Sequence, residues 1–141
     1  MFITIIINII IVMLVVLIHY EALSLMSKGL VRFKSRHRIM VVAGVLGAIL
    51  AHVTEIWVFG FGFYFMLHME GLGELQGNFD GSIVDCVYFS ITNYTSLGYG
   101  DIEPLGYIRF LASMEALTGL VLITWSASFM FIEMQKFWKN N

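Results

Sequence analysis

The segment from Thr95 to Asp101 is the part of this chain whose residue types most clearly indicate a chemical role. It lies between two long apolar runs and reads Thr-Ser-Leu-Gly-Tyr-Gly-Asp. Gly98 and Gly100 allow backbone conformations that other residues rarely adopt, so successive carbonyl groups can turn to one side. A row of carbonyl oxygens along a narrow path can replace the water around a cation. The segment therefore predicts a cation-coordinating backbone and not a helix.

The composition places this segment in a membrane protein. Of the 141 residues, 59% are hydrophobic and 13% are charged, which is too apolar for an ordinary soluble domain. At membrane depth, irregular backbone occurs only where protein or a water-filled cavity surrounds it. Three membrane helices and one re-entrant segment would use nearly the whole chain, which we therefore expect to form one domain.

Three apolar runs are long enough to cross a hydrocarbon core of about 30 Å. The first begins at Phe2 and ends near Tyr20, and we assign residues 1–26 to an N-terminal transmembrane helix. The second and third are predicted as an outer helix over residues 39–67 and an inner helix over residues 105–135. A shorter run, residues 83–95, is too short to cross the membrane and predicts a re-entrant helix. Ser82 and Asp85 at its start have the spacing of a capping box.

The basic segment 27–38 determines the predicted topology. It holds five of the eight Lys and Arg residues, and short basic loops remain in the cytoplasm. The N-terminus is therefore expected outside the cell and the C-terminus in the cytoplasm, in the plasma membrane (the inner membrane of a bacterial cell). The glycine-rich, acidic segment 68–82 is then an extracellular loop. Anionic membrane lipid is an expected partner of this basic loop.

Residues 96–101 resemble the Thr-Val-Gly-Tyr-Gly-Asp selectivity filter of the potassium channel pore-loop family, with serine for threonine and leucine for valine. The resemblance covers residues 39–135 and implies a prokaryotic-type pore domain over residues 39–141, preceded by an additional N-terminal helix. It implies an all-α membrane protein with three transmembrane helices, a re-entrant pore helix and a selectivity-filter loop. The family's pore has four filter strands and this chain has one, so a homotetramer is implied.

The same resemblance implies roles for individual residues. Potassium ions would bind the carbonyl groups of the filter, together with the Ser96 hydroxyl. The expected ion-binding residues are Ser96, Leu97, Gly98, Tyr99 and Gly100. The expected filter supports are Tyr88, Phe89, Thr92, Thr95 and Asp101. Tyr88 and Phe89 take the place of the family's aromatic cuff, and Asp101 takes the place of its outer aspartate.

Three ionisable residues and one glycine form a candidate gating or pH cluster. His52 and Glu55 are three residues apart and share a helix face, and Glu115 lies at a similar depth on the inner helix. Two carboxylates that meet in a low dielectric would share a proton, so the functional interpretation of this cluster is pH-dependent conduction. A satisfied structural polar cluster is the alternative. Gly119 resembles the family's hinge glycine, with close helix packing as its alternative.

Helical spacing also predicts which faces pack. Small residues at Gly44 and Gly47 would let another helix approach the outer helix closely. On the inner helix, a pore-facing stripe is predicted. Its members are Ala112, Ala116, Gly119, Ile123 and Ser126.

The pattern as a whole predicts a potassium channel, which conducts passively and performs no covalent chemistry. The alternatives are a weakly selective cation channel with the same architecture and a non-conducting membrane sensor or assembly subunit. His52 with Glu55 is weak evidence for a catalytic site, so we do not expect an enzyme. We expect no cofactor apart from potassium ions in the filter, and no nucleic-acid partner.

Overall fold

The computed structural model describes residues 2–30 and 37–138 and is largely helical. Three long helices are apolar enough to cross a membrane: α1 (Phe2–Leu30), α2 (His37–Leu67) and α4 (Ile108–Trp138). Between α2 and α4 lie strand β1 (Gly73–Gly77), the short helix α3 (Ile83–Tyr94) and strand β2 (Ile102–Gly106). Helix α1 extends four residues past the predicted end at residue 26, and residues 31–36 of the predicted basic loop lie outside the described residues.

Helix α3 begins where the sequence indicated. The Ser82 hydroxyl accepts a hydrogen bond from the Asp85 N–H at 3.1 Å, which caps the helix. In a complete capping box the Asp85 carboxylate would accept a hydrogen bond from the Ser82 N–H. Here it accepts one from the Asp80 N–H instead, at 2.9 Å. Hydrogen bonds from the hydroxyl and the main-chain N–H of Ser82 hold the pKa of Asp80 below its usual value. With 12 residues, α3 is too short to span a bilayer.

The buried core surrounds α3 and joins it to the three long helices. Its fully buried members include Phe59 and Phe63 of α2, Tyr94 of α3 and Leu111 of α4. The ring of Phe63 meets the ring of Phe89 edge to face at 5.0 Å between centroids. These aromatic contacts hold α3 against α2, in the position from which the chain continues into residues 95–101.

The small-residue face of α2 contacts two different helices. A Cβ atom on Gly44 would lie 2.8 Å from the sulfur of Met130 on α4. A Cβ atom on Gly47 would lie 2.9 Å from the sulfur of Met26 on α1. Both glycines thus lie against a side chain of a neighbouring helix, as the spacing predicted for a packed face of α2.

The two strands were not expected from the sequence, which indicated a loop over residues 68–82 and a helix from residue 105. They form an antiparallel pair in which Gly73 lies opposite Gly106 and Gly77 lies opposite Ile102. Pro104 lies within β2, which a two-stranded sheet permits because each strand has a free edge. Helix α4 consequently starts at Ile108, three residues later than predicted.

Candidate functional site

Residues 96–101, the filter segment, follow α3, and the sign of φ alternates from residue to residue between Ser96 and Gly100. Ser96, Gly98 and Gly100 have φ values of 57°, 52° and 76°, and no other described non-glycine residue has a positive φ. Alternation between left-handed and right-handed conformations turns successive peptide groups the same way, so their carbonyl oxygens can line one path. Serine tolerates a positive φ better than a β-branched residue, which suits Ser96 to this position.

The start of the filter segment is held by the end of α3. The N–H groups of Leu97 and Gly98 both donate to the Thr92 carbonyl, at 2.9 and 3.1 Å. The Ser96 N–H donates to the Asn93 carbonyl at 2.8 Å. The last carbonyl groups of a helix lack partners inside the helix, and here the filter segment supplies them. Thr92 thus contacts the segment through its main chain.

The hydroxyls of the two predicted threonine supports bond within the helix. The Thr92 hydroxyl donates to the Phe89 carbonyl at 2.8 Å, and the Thr95 hydroxyl donates to the Ile91 carbonyl at 2.7 Å. These bonds fix the last turn of α3, from which the filter segment departs. The supporting role of both residues stays a prediction.

The other end of the filter segment is held by two residues. The Tyr88 hydroxyl donates to the Asp101 carboxylate at 2.8 Å, and this bond raises the pKa of Tyr88. The Asn78 N–H, just after β1, donates to the Asp101 carbonyl at 2.8 Å. Tyr88 was among the predicted supports, whereas Asn78 was not. Phe89, the other predicted cuff residue, is buried against Phe63 of α2.

The filter segment lies on the surface of the single chain. The side chains of Leu97 and Tyr99 are 57% and 68% exposed. A Cβ atom placed on Gly98 or Gly100 would meet no other atom within 4 Å. One chain can therefore surround a cation on one side only.

A second polar site, centred on Glu55, lies at the end of α3. The carboxylate of Glu55 is fully buried and meets the Nδ1 atom of His19 at 2.8 Å and that of His52 at 3.1 Å. The Tyr94 hydroxyl donates to the same carboxylate and lies 2.8 Å from His52 Nδ1. The structure thus brings His52 and Glu55 together, as their spacing indicated, and adds His19 and Tyr94.

His19 is the functional candidate that the sequence analysis missed. It is fully buried on α1, with Trp125 of α4 packed beside its ring at 5.2 Å between centroids. The signal available was its position: an ionisable side chain inside an apolar transmembrane helix has a partner by default. The partner itself could not be read from the sequence, because Glu55 lies 36 residues away on another helix.

Glu115 is also fully buried but joins a different contact. Its carboxylate accepts a hydrogen bond from the Ser90 hydroxyl, which also lies 2.9 Å from the Ile56 carbonyl. Within residues 2–30 and 37–138, no hydrogen bond joins Glu115 to Glu55. Ser90 and Tyr94, one turn apart on α3, each bond one of the two carboxylates. The expected pH dependence of conduction stays a prediction.

Gly119 and its neighbours on α4 pack inside the chain. A Cβ atom on Gly119 would collide with the Tyr94 carbonyl oxygen. The close approach of α4 to the end of α3 therefore requires glycine at this position. Ala112 and Ser126 are also buried. The predicted pore-facing stripe is therefore wrong at these three positions, because that face packs on the chain's own helices. A gating hinge at Gly119 stays a prediction.

A family model described as an ion channel matches residues 39–136, more than half of the chain. The chain belongs to this ion-channel family. The match includes α3, the filter segment and nearly all of α2 and α4, and α1 precedes it as an additional helix. The predicted family and the helical membrane architecture are confirmed. No curated protein and no solved structure matched the chain.

This family is not an enzyme family, and the channel is an integral membrane protein. The matched range contains the filter segment and most of the Glu55 site, but His19 lies on the helix outside it. The channel thus combines a pore domain of a known family with a buried contact to a helix that the family model does not include.

Proposed function

We propose that the channel conducts potassium ions passively and selectively through the filter segment. The observation that carries this proposal is the positive φ at every second residue, Ser96, Gly98 and Gly100. It allows consecutive carbonyl oxygens to face one path, an arrangement suited to a dehydrated cation and not to an anion. The Ser96 hydroxyl and the carbonyls of residues 96–99 would replace the ion's water.

The surroundings of the filter segment support the same proposal. The C-terminal end of α3 carries a partial negative charge and lies at the start of the segment. Glu70, Glu74 and Asp80 belong to the connection between α2 and α3, which we place outside the cell and whose Asn78 bonds Asp101 at the other end of the segment. Acidic groups at an entrance raise the local cation concentration over about 10 Å at ordinary salt.

The channel is proposed to act as a homotetramer in the plasma membrane, with its N-terminus outside and its C-terminus in the cytoplasm. Carbonyls from one chain cover one side of an ion, so several copies must complete the coordination around a symmetry axis. The exposure of Leu97 and Tyr99 in the single chain agrees with their burial in such an assembly. Exposed residues of α4 that are candidates to face the pore below the filter include Leu117, Thr124 and Ser128.

A flux assay tests this proposal directly. The purified channel is reconstituted in liposomes loaded with potassium salt and diluted into sodium salt, with a protonophore and a pH-sensitive dye. Potassium efflux would draw protons inward and change the dye signal, and liposomes loaded with sodium and diluted into potassium should show the opposite polarity. Equal flux of both ions would contradict selectivity, and a signal no greater than that of protein-free liposomes would contradict conduction.

A further inference from the structure

The Glu55 site contains three side chains that are common metal ligands. One ligand atom from each of His19, His52 and Glu55 can be chosen so that all three lie within 4.8 Å of one another. The Nδ1 atoms of both histidines already point to the carboxylate, at 2.8 and 3.1 Å. Two imidazoles and one carboxylate make up a ligand set found around zinc and related transition metals.

The elements that carry these ligands are rigid. His52 and Glu55 lie on one face of α2, and His19 comes from α1, which packs on α2 through Gly47 and Met26. Ligands placed on packed helices keep their geometry better than ligands on loops. Tetrahedral zinc with bonds of about 2.0–2.1 Å brings its ligand atoms to roughly 3.4 Å from one another. The Nδ1–carboxylate distances of 2.8 and 3.1 Å would lengthen slightly, and any wider pair of ligand atoms, within the limit of 4.8 Å, would close by on the order of 1 Å.

The next neighbours of the site are suited to a metal centre. The Tyr94 hydroxyl donates to the Glu55 carboxylate, and the Ser126 hydroxyl lies 3.4 Å from His19 Nε2, the ring nitrogen that points away from the carboxylate. Such outer partners orient ligands and fix the imidazole tautomer. The side chain of His52 is 17% exposed, whereas His19 and Glu55 are fully buried, so the site is open on the His52 side.

We infer that His19, His52 and Glu55 bind one divalent transition-metal ion of the zinc type, which fastens α1 to the pore domain. A neutral imidazole that ligates the ion through Nδ1 would carry its proton on Nε2, and on His19 that nitrogen lies 3.4 Å from the Ser126 hydroxyl. Imidazole ligands favour zinc, cobalt, nickel or copper over magnesium and calcium, which prefer sets made of oxygen atoms. The site is distinct from the filter segment, where the proposed ion is monovalent and held by carbonyls.

The position of the site links metal binding to the filter. Tyr94 contacts Glu55 and His52 through its hydroxyl, while its carbonyl packs against Gly119 of α4. Thr95 and the filter segment follow directly in the chain. A metal at the site would therefore restrain the residue from which the filter departs. Any effect of the metal on potassium flux rests on the proposed function, but metal binding itself does not.

The test uses the full chain, purified in detergent, stripped with a chelator and then titrated with cobalt(II) at neutral pH. We expect visible absorption bands of four-coordinate or five-coordinate cobalt that saturate at one ion per chain and disappear when zinc is added. Elemental analysis after dialysis against zinc should likewise give one zinc per chain. Two results with the wild-type chain would overturn the inference. One is a cobalt spectrum identical to that of cobalt in buffer alone, and the other is less than a tenth of a zinc ion per chain.

Matched variants then assign the ligands. His19→Gln and Glu55→Gln keep the approximate size of each side chain and should each weaken cobalt binding about 100-fold or more, since loss of even an outer partner costs 10–100-fold. His68→Gln is the control, because His68 follows the end of α2, its ring is exposed, and its Nδ1 atom lies 2.8 Å from the Tyr64 carbonyl. Unchanged binding in both site variants, with elution volumes equal to wild type, would overturn the assignment, as would equal weakening in the control.

The same preparations separate this inference from the proposed function. Cobalt binding with no potassium flux would leave the metal site intact and contradict conduction only. Potassium flux with no cobalt binding would leave conduction intact and contradict the metal site only. If both are present, we expect zinc to change the flux of wild type and to have at least tenfold less effect on His19→Gln.

Discussion

The filter segment and the Glu55 site are neighbours in the chain's fold, but they are built in opposite ways. The filter segment presents main-chain groups of consecutive residues on the surface of the chain, and its conformation depends on positive φ values at Ser96, Gly98 and Gly100. The Glu55 site brings together buried side chains from three helices. Each solves the same problem, which is to keep polar groups satisfied at membrane depth.

The difference has consequences for what each site can bind. Main-chain carbonyls are neutral oxygen atoms, and another copy of the chain can add more of them around an axis, so they suit a weakly held, exchanging monovalent cation. Imidazoles and a carboxylate are fewer and stronger ligands, which suit one firmly held divalent ion. Tyr94 lies between them, with its hydroxyl in one site and its main chain leading to the other.

The largest expected effect comes from Gly98→Ala. Gly98 has a φ of 52°, and alanine would force this peptide group toward another conformation and misdirect a carbonyl. We expect potassium flux in liposomes to fall to the level of protein-free liposomes. Gly71→Ala is the matched control, because Gly71 has a φ of 78° and equally open space around it, but it lies in the loop before β1. Equal flux in wild type and Gly98→Ala would contradict the role of the filter backbone.

A smaller effect, on stability, is expected from Gly119→Ala. The new methyl group would overlap the Tyr94 carbonyl, and overpacking of this kind costs about 1–3 kcal/mol. The melting temperature in detergent should fall. Gly29→Ala, also within a helix, meets no atom within 4 Å and should leave the melting temperature unchanged or slightly raised. If both variants melted like wild type, α4 would not be packed as closely on α3 as the structure shows.

Tyr88→Phe should affect the Asp101 end of the filter segment selectively. The variant removes the hydroxyl that donates to the Asp101 carboxylate and leaves the ring in place. Asn78 still holds the Asp101 main chain, so we expect conduction to persist while the permeability ratio of potassium to sodium falls severalfold. Tyr107→Phe, an exposed tyrosine just before α4, is the control. A ratio equal to that of wild type would show that the Tyr88 bond does not restrain the filter.

The smallest effect is expected from Asp80→Asn. The pKa of Asp80 lies below its usual 3.8 because the ionised form accepts hydrogen bonds from Ser82. A depressed pKa stabilises the fold fully above pH 3.8, and this contribution is lost as the pH falls through the lowered value. The variant should therefore melt slightly below wild type at neutral pH, and the two should converge in strong acid. Glu103→Gln, on the exposed side of β2, is the matched control and should melt like wild type at neutral pH.

The comparison of the two sites also explains what could be predicted from the sequence. The filter segment was predictable because its function depends on the order of adjacent residues, and the cap at Ser82 was predictable for the same reason. Helical spacing predicted that Gly44 and Gly47 pack closely, and the contacts with Met130 and Met26 confirm it. Local signals such as these remain visible without knowledge of the fold.

Contacts between distant segments could not be predicted in the same way. Depth along a helix follows from residue number, but the direction of a side chain around the bundle does not. Glu55 and Glu115 were placed at one level, yet they bond different residues of α3, and Glu55 meets His19 of α1 instead. The face of α4 that includes Gly119 was identified as one stripe but assigned to the pore.

Strands β1 and β2 were missed because their sequences carry little strand signal. β1 reads Gly-Glu-Leu-Gln-Gly and β2 contains Pro104, and both compositions are typical of loops. Their pairing depends on tertiary context, since Asp101 and α4 hold the ends of β2 in place. In turn the pair positions Asn78 to bond the Asp101 main chain.

The central claim is that the filter segment selects potassium, and the reversal potential of the reconstituted channel tests it most directly. A planar bilayer separates equal concentrations of potassium and sodium salts, and the voltage of zero current is measured. We predict a reversal potential far from zero, with the sign that corresponds to permeant potassium and excluded sodium. A reversal potential near zero would contradict the claim and indicate a weakly selective cation channel, and the absence of current in every bilayer would indicate that the chain does not conduct.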